Sequence, residues 1–157
     1  METILNMKDS HGHNIESLLV KAISIAKDAH QYQVDKYGAP YIGHITRVMN
    51  AGNSVEEKMV GILHDIVEDT DWTFERLLEE GFSESIVDAV RCLTKTDENE
   101  DYEDFIERVT KNPLAIVVKI NDLSDNLDIK RMPEVKTEDI KRLNKYLRAY
   151  RKLIEFK

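Results

Sequence analysis

One cysteine, Cys92, stands in a chain of 157 residues. A lone thiol excludes an intramolecular disulfide and a Cys/His structural zinc site, and it fits a reducing cytoplasm. Long hydrophobic runs are missing as well: from Met1 to His13 only Ile4, Leu5 and Met7 are apolar after the initiator. That is too little for a signal peptide or a spanning helix, so a soluble, unexported, cytoplasmic protein is expected. Positive charge is also short, with 22 Lys and Arg against 30 Asp and Glu and a net charge of −8. Phosphate backbones and anionic membranes require a basic footprint, so neither a nucleic-acid polymer nor a membrane is an expected partner. A small nucleotide is not excluded, because a metal ion with Lys36, Lys95, Lys119 or Lys130 meets its charge locally. There is no internal repeat and no low-complexity segment.

What is abundant is helical periodicity. Ile15, Leu18, Leu19, Ala22, Ile23, Ala26 and Ala29 recur at three and four residue steps and predict a helix from Asn14 to about Gln31. Gly and Pro between Gly38 and Gly43 break the chain and leave His44 to begin the next helix, which Gly52 ends. Ser54 and Glu57 form a capping box for the helix carrying His64. Thr73 and Ser83 cap two further helices, the first stopping at Gly81. Thr96 to Asp101 reads as a charged loop, followed by a helix marked by Tyr102, Phe105, Ile106 and Val109. Pro113 opens a helix through Asp122, in which the β-branched run Ile116-Val117-Val118 is read as buried helix because no partner strand is evident. After Met132-Pro133, Thr137 caps a final helix with Ile140, Leu143, Tyr146, Leu147, Tyr150 and Ile154 on its inner side. The expectation is all-α: one helical bundle of about eight helices, with a core over about 14–131 and a C-terminal helix over about 137–155.

The chemistry concentrates in Leu63-His64-Asp65-Ile66-Val67-Glu68-Asp69-Thr70. With His64 at zero and about 100° per residue, Glu68 falls near ~40°, Asp65 near ~100° and Asp69 near ~140°. Met59, Val60, Ile62, Leu63, Ile66 and Val67 occupy the opposite, core-facing arc. A solvated helix face usually mixes Lys, Glu and Gln; this His-Asp density points to a metal-dependent hydrolase instead. One helix supplies only part of a coordination sphere, so ligands from distant segments are required. His44, after Gly38-Ala39-Pro40-Tyr41-Ile42-Gly43, is one candidate. Asp122, which shares a face with Asp125 and Asn126 and follows an apolar run, is the other. Two His nitrogens and two Asp oxygens suit Mn²⁺, Fe²⁺ or Zn²⁺. His30, at the end of an apolar stripe, reads as a packed or supporting histidine, His11 and His13 are given no catalytic role, and Tyr41 and Trp72 are expected to pack.

Ala29-His30 through His44, the block His64 to Thr70, Leu93-Thr94-Lys95, and Lys119-Ile120-Asn121-Asp122 with Asn126 occur in an order that resembles the HD-domain phosphohydrolases. Within them the chain is similar to the RelA/SpoT-type hydrolase domain and the stand-alone small alarmone hydrolases. The resemblance implies four metal ligands, His44, His64, Asp65 and Asp122, and a catalytic acidic pair, Glu68 and Asp69. It implies substrate contacts from Lys36 and Asn126, favours Mn²⁺ as the one divalent ion, and implies hydrolysis of the 3′-pyrophosphate of a (p)ppGpp-like nucleotide. It reaches only the hydrolase half of that architecture, so no pyrophosphokinase activity is expected.

Two positions depart from the pattern. Asp35 stands where the alarmone hydrolases carry a base-contacting Arg, and the stretch after Asp122 is more acidic than theirs. Repulsion between Asp35 and a polyphosphate is expected to weaken guanosine tetraphosphate binding and to be relieved by Asp35→Arg. The alternatives are an HD phosphohydrolase acting on another nucleotide or phosphoester, or a catalytically silent nucleotide-binding module.

Overall fold

The computed structural model of the protein describes residues 8, 14–95 and 97–157. The expectations for Ile4, Leu5, Met7, His11, His13 and Thr96 lie outside the described residues. Among these, the chain forms α1 (Ile15–Ala29), α2 (Tyr41–Asn50), α3 (Val55–Leu63), α4 (Ile66–Asp69), α5 (Phe74–Glu79), α6 (Glu84–Leu93), α7 (Tyr102–Val109), α8 (Pro113–Asn126) and α9 (Thr137–Ile154), with a 3₁₀ turn over Ile129–Arg131. The described residues contain no sheet, only isolated bridges Lys8 to Asn14 and Val34 to Pro40. No described helix is long and apolar enough to cross a membrane.

The caps explain most boundaries. Asn14, Thr73, Ser83 and Asn112 each accept a backbone N–H from the first turn of the helix that follows. Ser54 Oγ accepts from Glu57 N at 3.1 Å, but Glu57 Oε2 returns to Asn53 N at 2.6 Å, so the expected capping box closes one residue early. Thr137 is not the cap of α9; it is the first helical residue, and Asp139 Oδ2 accepts from Lys136 N at 3.0 Å. His44 does not begin α2 either. Pro40 fixes the start, so His44 lies one turn inside, on the buried face with Ile45 and Val48.

α3 is the central helix, buried from Met59 through Leu63, and it packs against α1, α2, α6 and α8. A continuous helix from Ser54 through Asp69 is not formed. α3 ends at Leu63, His64 caps it, and Asp65 adopts φ −105°, ψ 1° before α4 restarts. α9 also differs from expectation: Ala149 and Leu153 are buried, whereas Ile140, Leu147 and Ile154 are 50%, 43% and 43% exposed. The helix is rotated because Asp139, only 3% exposed, turns inward to Lys36 and Arg142. That polar clamp fixes its N-terminal half.

Gly61 sets the spacing of α2 and α3. A Cβ there would lie 3.0 Å from Met49 Cα, 3.1 Å from its N and 3.2 Å from Val48 O, all backbone atoms that cannot turn aside. Gly61→Ala is therefore expected to lower the unfolding free energy by about 1–3 kcal/mol, the range for forced overpacking, read by urea denaturation. Gly43→Ala is the control, since its added carbon meets only the Arg47 guanidinium tip. Equal effects of the two would refute this account of the helix crossing.

Candidate functional site

The site begins in the turn before α2. Asp35 Oδ1 accepts from Tyr37 N at 2.8 Å and Ala39 N at 3.0 Å, while Asp35 O accepts from Gly38 N at 3.0 Å. Gly38 has φ +83°, which a residue without Cβ adopts freely. The turn delivers Pro40 and Tyr41 to the start of α2 and points His44 inward. The close α2 and α3 crossing then sets the His44 and His64 rings 5.4 Å apart.

Four expected residues converge. His64 Nε2 lies 3.0 Å from Asp65 Oδ2 and 3.5 Å from Asp122 Oδ1; His44 Nε2 lies 3.1 Å from Asp122 Oδ1 and 3.7 Å from Asp65 Oδ2. Each imidazole is held from behind: His44 Nδ1 meets Asp125 Oδ2 at 2.6 Å, and His64 Nδ1 donates to Gly61 O at 2.6 Å. Both Nε2 atoms thus face the carboxylates, and that of His64 is buried without a hydrogen-bond partner. Tyr41 does more than pack, because its hydroxyl donates to Asp65 Oδ2 at 2.5 Å. Lys119 and Asn126 bracket Asp122 at 2.8 and 2.9 Å.

Electrostatics follow from this crowding. Burial disfavours the charged form of His44, but the hydrogen bonds it donates to Asp122 and Asp125 outweigh it and raise its pKa. Burial is likewise overcome at His64, where Asp65 and Asp122 hold it well above the ordinary range. Burial pushes Asp65 upward, yet the His64 charge brings it down to about 2. Asp122 sits well below the usual carboxylate range because Lys119 and the two imidazoles overcome its burial. These are acceptors and imidazoles competing for positive charge. Of these residues His44, His64 and Asp65 bring ligand atoms within 4.8 Å of one another, a mixed N and O set that could hold a divalent cation.

Glu68 and Asp69 sit on α4 at the mouth. Loss of hydration raises both, and Asp65 raises both further. Glu68 Oε1 accepts from Lys95 N at 2.9 Å. Asp69 Oδ2 accepts from Gln33 Nε2 at 3.0 Å, which turns Gln33 Oε1 toward His30 Nδ1 at 2.7 Å. Because a carboxylate only accepts, the Gln33 amide orientation and the Nδ1–H tautomer of His30 are both determined. His30, 1% exposed, is a supporting residue for Asp69.

Two cavities flank the cluster and share Tyr41 and Asn126. One, about 260 Å³, is lined by Lys95, Lys119, Lys145, Tyr102 and Tyr146 beside Asp65, Glu68 and Asp122. The other, about 200 Å³, is lined by Asp35, Lys36, Tyr37, Arg131 and Arg142 beside His44. Lys36 reaches the second cavity but pairs with Asp139 at 2.8 Å. Lys130 lines neither cavity; its side chain is 86% exposed and lies 3.8 Å from Asp128. Trp72 packs under the Arg76 guanidinium at 3.9 Å. Arg131, Arg142, Lys145 and Tyr146 are contributions the sequence did not disclose, because they join the site only when α9 and the 3₁₀ turn fold over it. Asp125 was visible at i+3 from Asp122, but its pairing with His44 was not.

No family model matches the chain. It is 30% identical over 138 residues to the guanosine-3′,5′-bis(diphosphate) 3′-pyrophosphohydrolase of Aquifex aeolicus, covering 81% of this chain and 19% of that protein. A probable enzyme of the same name from Synechocystis is 35% identical over 124 residues, covering 70% and 16%. The bifunctional (p)ppGpp synthase/hydrolase SpoT of Escherichia coli is 28% identical over 123 residues, covering 69% and 17%. The chain thus spans less than a fifth of the length of these relatives. Among solved structures, a metazoan ortholog of SpoT described as hydrolysing ppGpp superposes with a TM-score of 0.68 at 25% identity, over 88% of this chain and 84% of that one. With motif order and helical architecture in agreement, the chain is similar over most of its length to the hydrolase domain of the RelA/SpoT-type proteins.

Proposed function

We propose that this domain is a metal-dependent phosphohydrolase that removes the 3′-pyrophosphate of a (p)ppGpp-like nucleotide. The observation that carries the reading is the convergence of His44, His64, Asp65 and Asp122 with both imidazoles held from behind. These four residues are the proposed ligands, and Mn²⁺ is the proposed ion, favoured over Fe²⁺ and Zn²⁺ by the family resemblance. Bound there, a divalent ion supplies Lewis acidity toward phosphoryl oxygen and lowers the pKa of water from about 15.7 to roughly 7.

The chain's own groups do the rest. Glu68 and Asp69, whose burial raises them above the usual carboxylate range, orient the attacking water and take its proton. Gln33 holds Asp69 by one oxygen, and Lys95 N holds Glu68 by one, leaving the second oxygen of each for that task. Lys95, Lys119 and Lys145 on one side, and Lys36, Arg131 and Arg142 on the other, give the site two cationic ends. That suits a substrate phosphorylated at both ends, with Asn126 between the two cavities.

The repulsion expected of Asp35 is offset. One of its oxygens is committed to the turn, and the other faces Arg131 Nη1 at 3.6 Å. Arg131 brings a guanidinium to the cavity from another segment.

Three measurements test the reading. His64→Ala is expected to leave less than about a tenth of the Mn²⁺ content of the native protein by metal analysis, since removing one ligand opens the set. Undiminished stoichiometry would remove His64 from the ligands. Glu68→Gln and Asp69→Asn are each expected to lower kcat by about 10²-fold or more while metal content is retained; metal lost in parallel would place them among the ligands instead. Asp35→Arg removes two turn hydrogen bonds and faces Arg131 with a like charge, so it is expected to raise KM for guanosine tetraphosphate, with Asp35→Asn much closer to native. A lower KM in Asp35→Arg would restore direct repulsion as the cause.

A further inference from the structure

We propose that the Tyr102 hydroxyl is a phosphoryl-oxygen donor of the catalytic cavity, an inference that rests on the phosphohydrolase reading above. By spacing alone Tyr102 is one more apolar marker of α7. Its ring does pack, with centroids 6.0 Å from Phe105 and 6.2 Å from Tyr146. Its hydroxyl oxygen, however, is buried and has no hydrogen-bond partner. A buried unpaired hydroxyl costs stability, and Phe would keep the ring contacts without that cost.

The surroundings of the oxygen explain what the cost maintains. Tyr102 lines the cavity of Lys95, Lys119, Lys145 and Tyr146, next to Asp65, Glu68 and Asp122. Its ring also borders a separate groove between α7 and α9, about 380 Å³, lined by Arg148 and Lys152. The hydroxyl addresses the first of these, because the groups that act on it are Lys119, Tyr146 and Asp122, all on the catalytic side. Burial holds its pKa up to about 12 against the pull of Lys119, so at neutral pH it carries its proton and donates. The ammonium of Lys145 lies 4.6 Å from the ring centroid and that of Lys95 5.8 Å. Both stems are long and rotatable. A polyanion that draws these ammoniums to its oxygens is brought beside Tyr102, whose hydroxyl adds a neutral donor to three charged ones. In this respect the residue trades fold stability for ligand contact, as functional positions do.

Tyr102→Phe removes one oxygen that forms no bond in the free protein, so its effects separate the two roles. Native and variant proteins are compared by thermal unfolding without ligand, by the thermal shift that inorganic pyrophosphate produces on Mn²⁺-loaded protein, and by kcat and KM on guanosine tetraphosphate. The expected result is a ligand-free Tm raised by about 2–4 °C, a smaller pyrophosphate shift, and kcat/KM reduced about tenfold or more, as for a lost hydrogen bond to a charged oxygen. An unchanged pyrophosphate shift with unchanged kcat/KM would overturn the proposal. So would a lowered Tm that accounts for lost activity, which would make the hydroxyl structural. If native protein cleaves no alarmone, the phosphohydrolase reading fails by itself, and the pyrophosphate shift still decides whether Tyr102 is a donor.

Discussion

The approach of α2 to α3 at Gly61 is the constraint on which the centre depends. His44 and His64 belong to different helices, and their rings come within 5.4 Å only because backbone meets backbone at that crossing. The same glycine supplies the carbonyl that accepts the hydrogen bond from His64 Nδ1–H. One residue without a side chain therefore sets both the distance between the imidazoles and the tautomer of one of them. Close-packed interiors transmit such a displacement directly, because there is no void to absorb it.

Around that crossing, the buried carboxylates are tolerated because each has several partners. Asp122 meets Lys119, Asn126, His44 and His64, and Asp125 meets His44, Arg47 and Arg131. Removing one member of such a set leaves its partners buried and uncompensated, which costs more than the pair contributes. The centre is therefore a unit whose parts are maintained together. The chain's excess of 30 acids over 22 basic residues hides this local balance, in which cations line both cavities.

The helical pattern was legible because apolar residues recur at three and four residue steps and caps mark the ends. The His-Asp block was legible because its density exceeds that of a solvated face. Its geometry was not, since an unbroken helix would splay His64 and Asp65 by about 100°. The break at Asp65 lets consecutive side chains address one point, with Nε2 and Oδ2 3.0 Å apart. Nothing local announces that break; burial of Ile66 on the core after the turn secures it. The inner face of α9 was legible only in part: Tyr146 and Tyr150 pack on the core as their spacing suggests, but Ile140 and Leu147 do not, because Asp139 and Arg142 turn the helix by polar contacts to Lys36 and Tyr37. Periodicity ranks faces by hydrophobicity and carries no information about ion pairs between distant segments.

The two departures from the family pattern are one feature in three dimensions. Asp35 and Asp125 lie far apart in sequence, yet both carboxylates face Arg131, at 3.6 and 3.3 Å. Arg131 Nη2 also donates to Asp125 O at 3.1 Å, and Asp125 holds His44. A guanidinium carried by the turn at position 35 would have met Arg131 as a like charge. With a carboxylate there, the cation enters the cavity from the 3₁₀ turn and links that cavity, through Asp125, to the His44 imidazole. The acid at 35, the acid at 125 and the base at 131 compensate one another, so each is intelligible only with the other two in place.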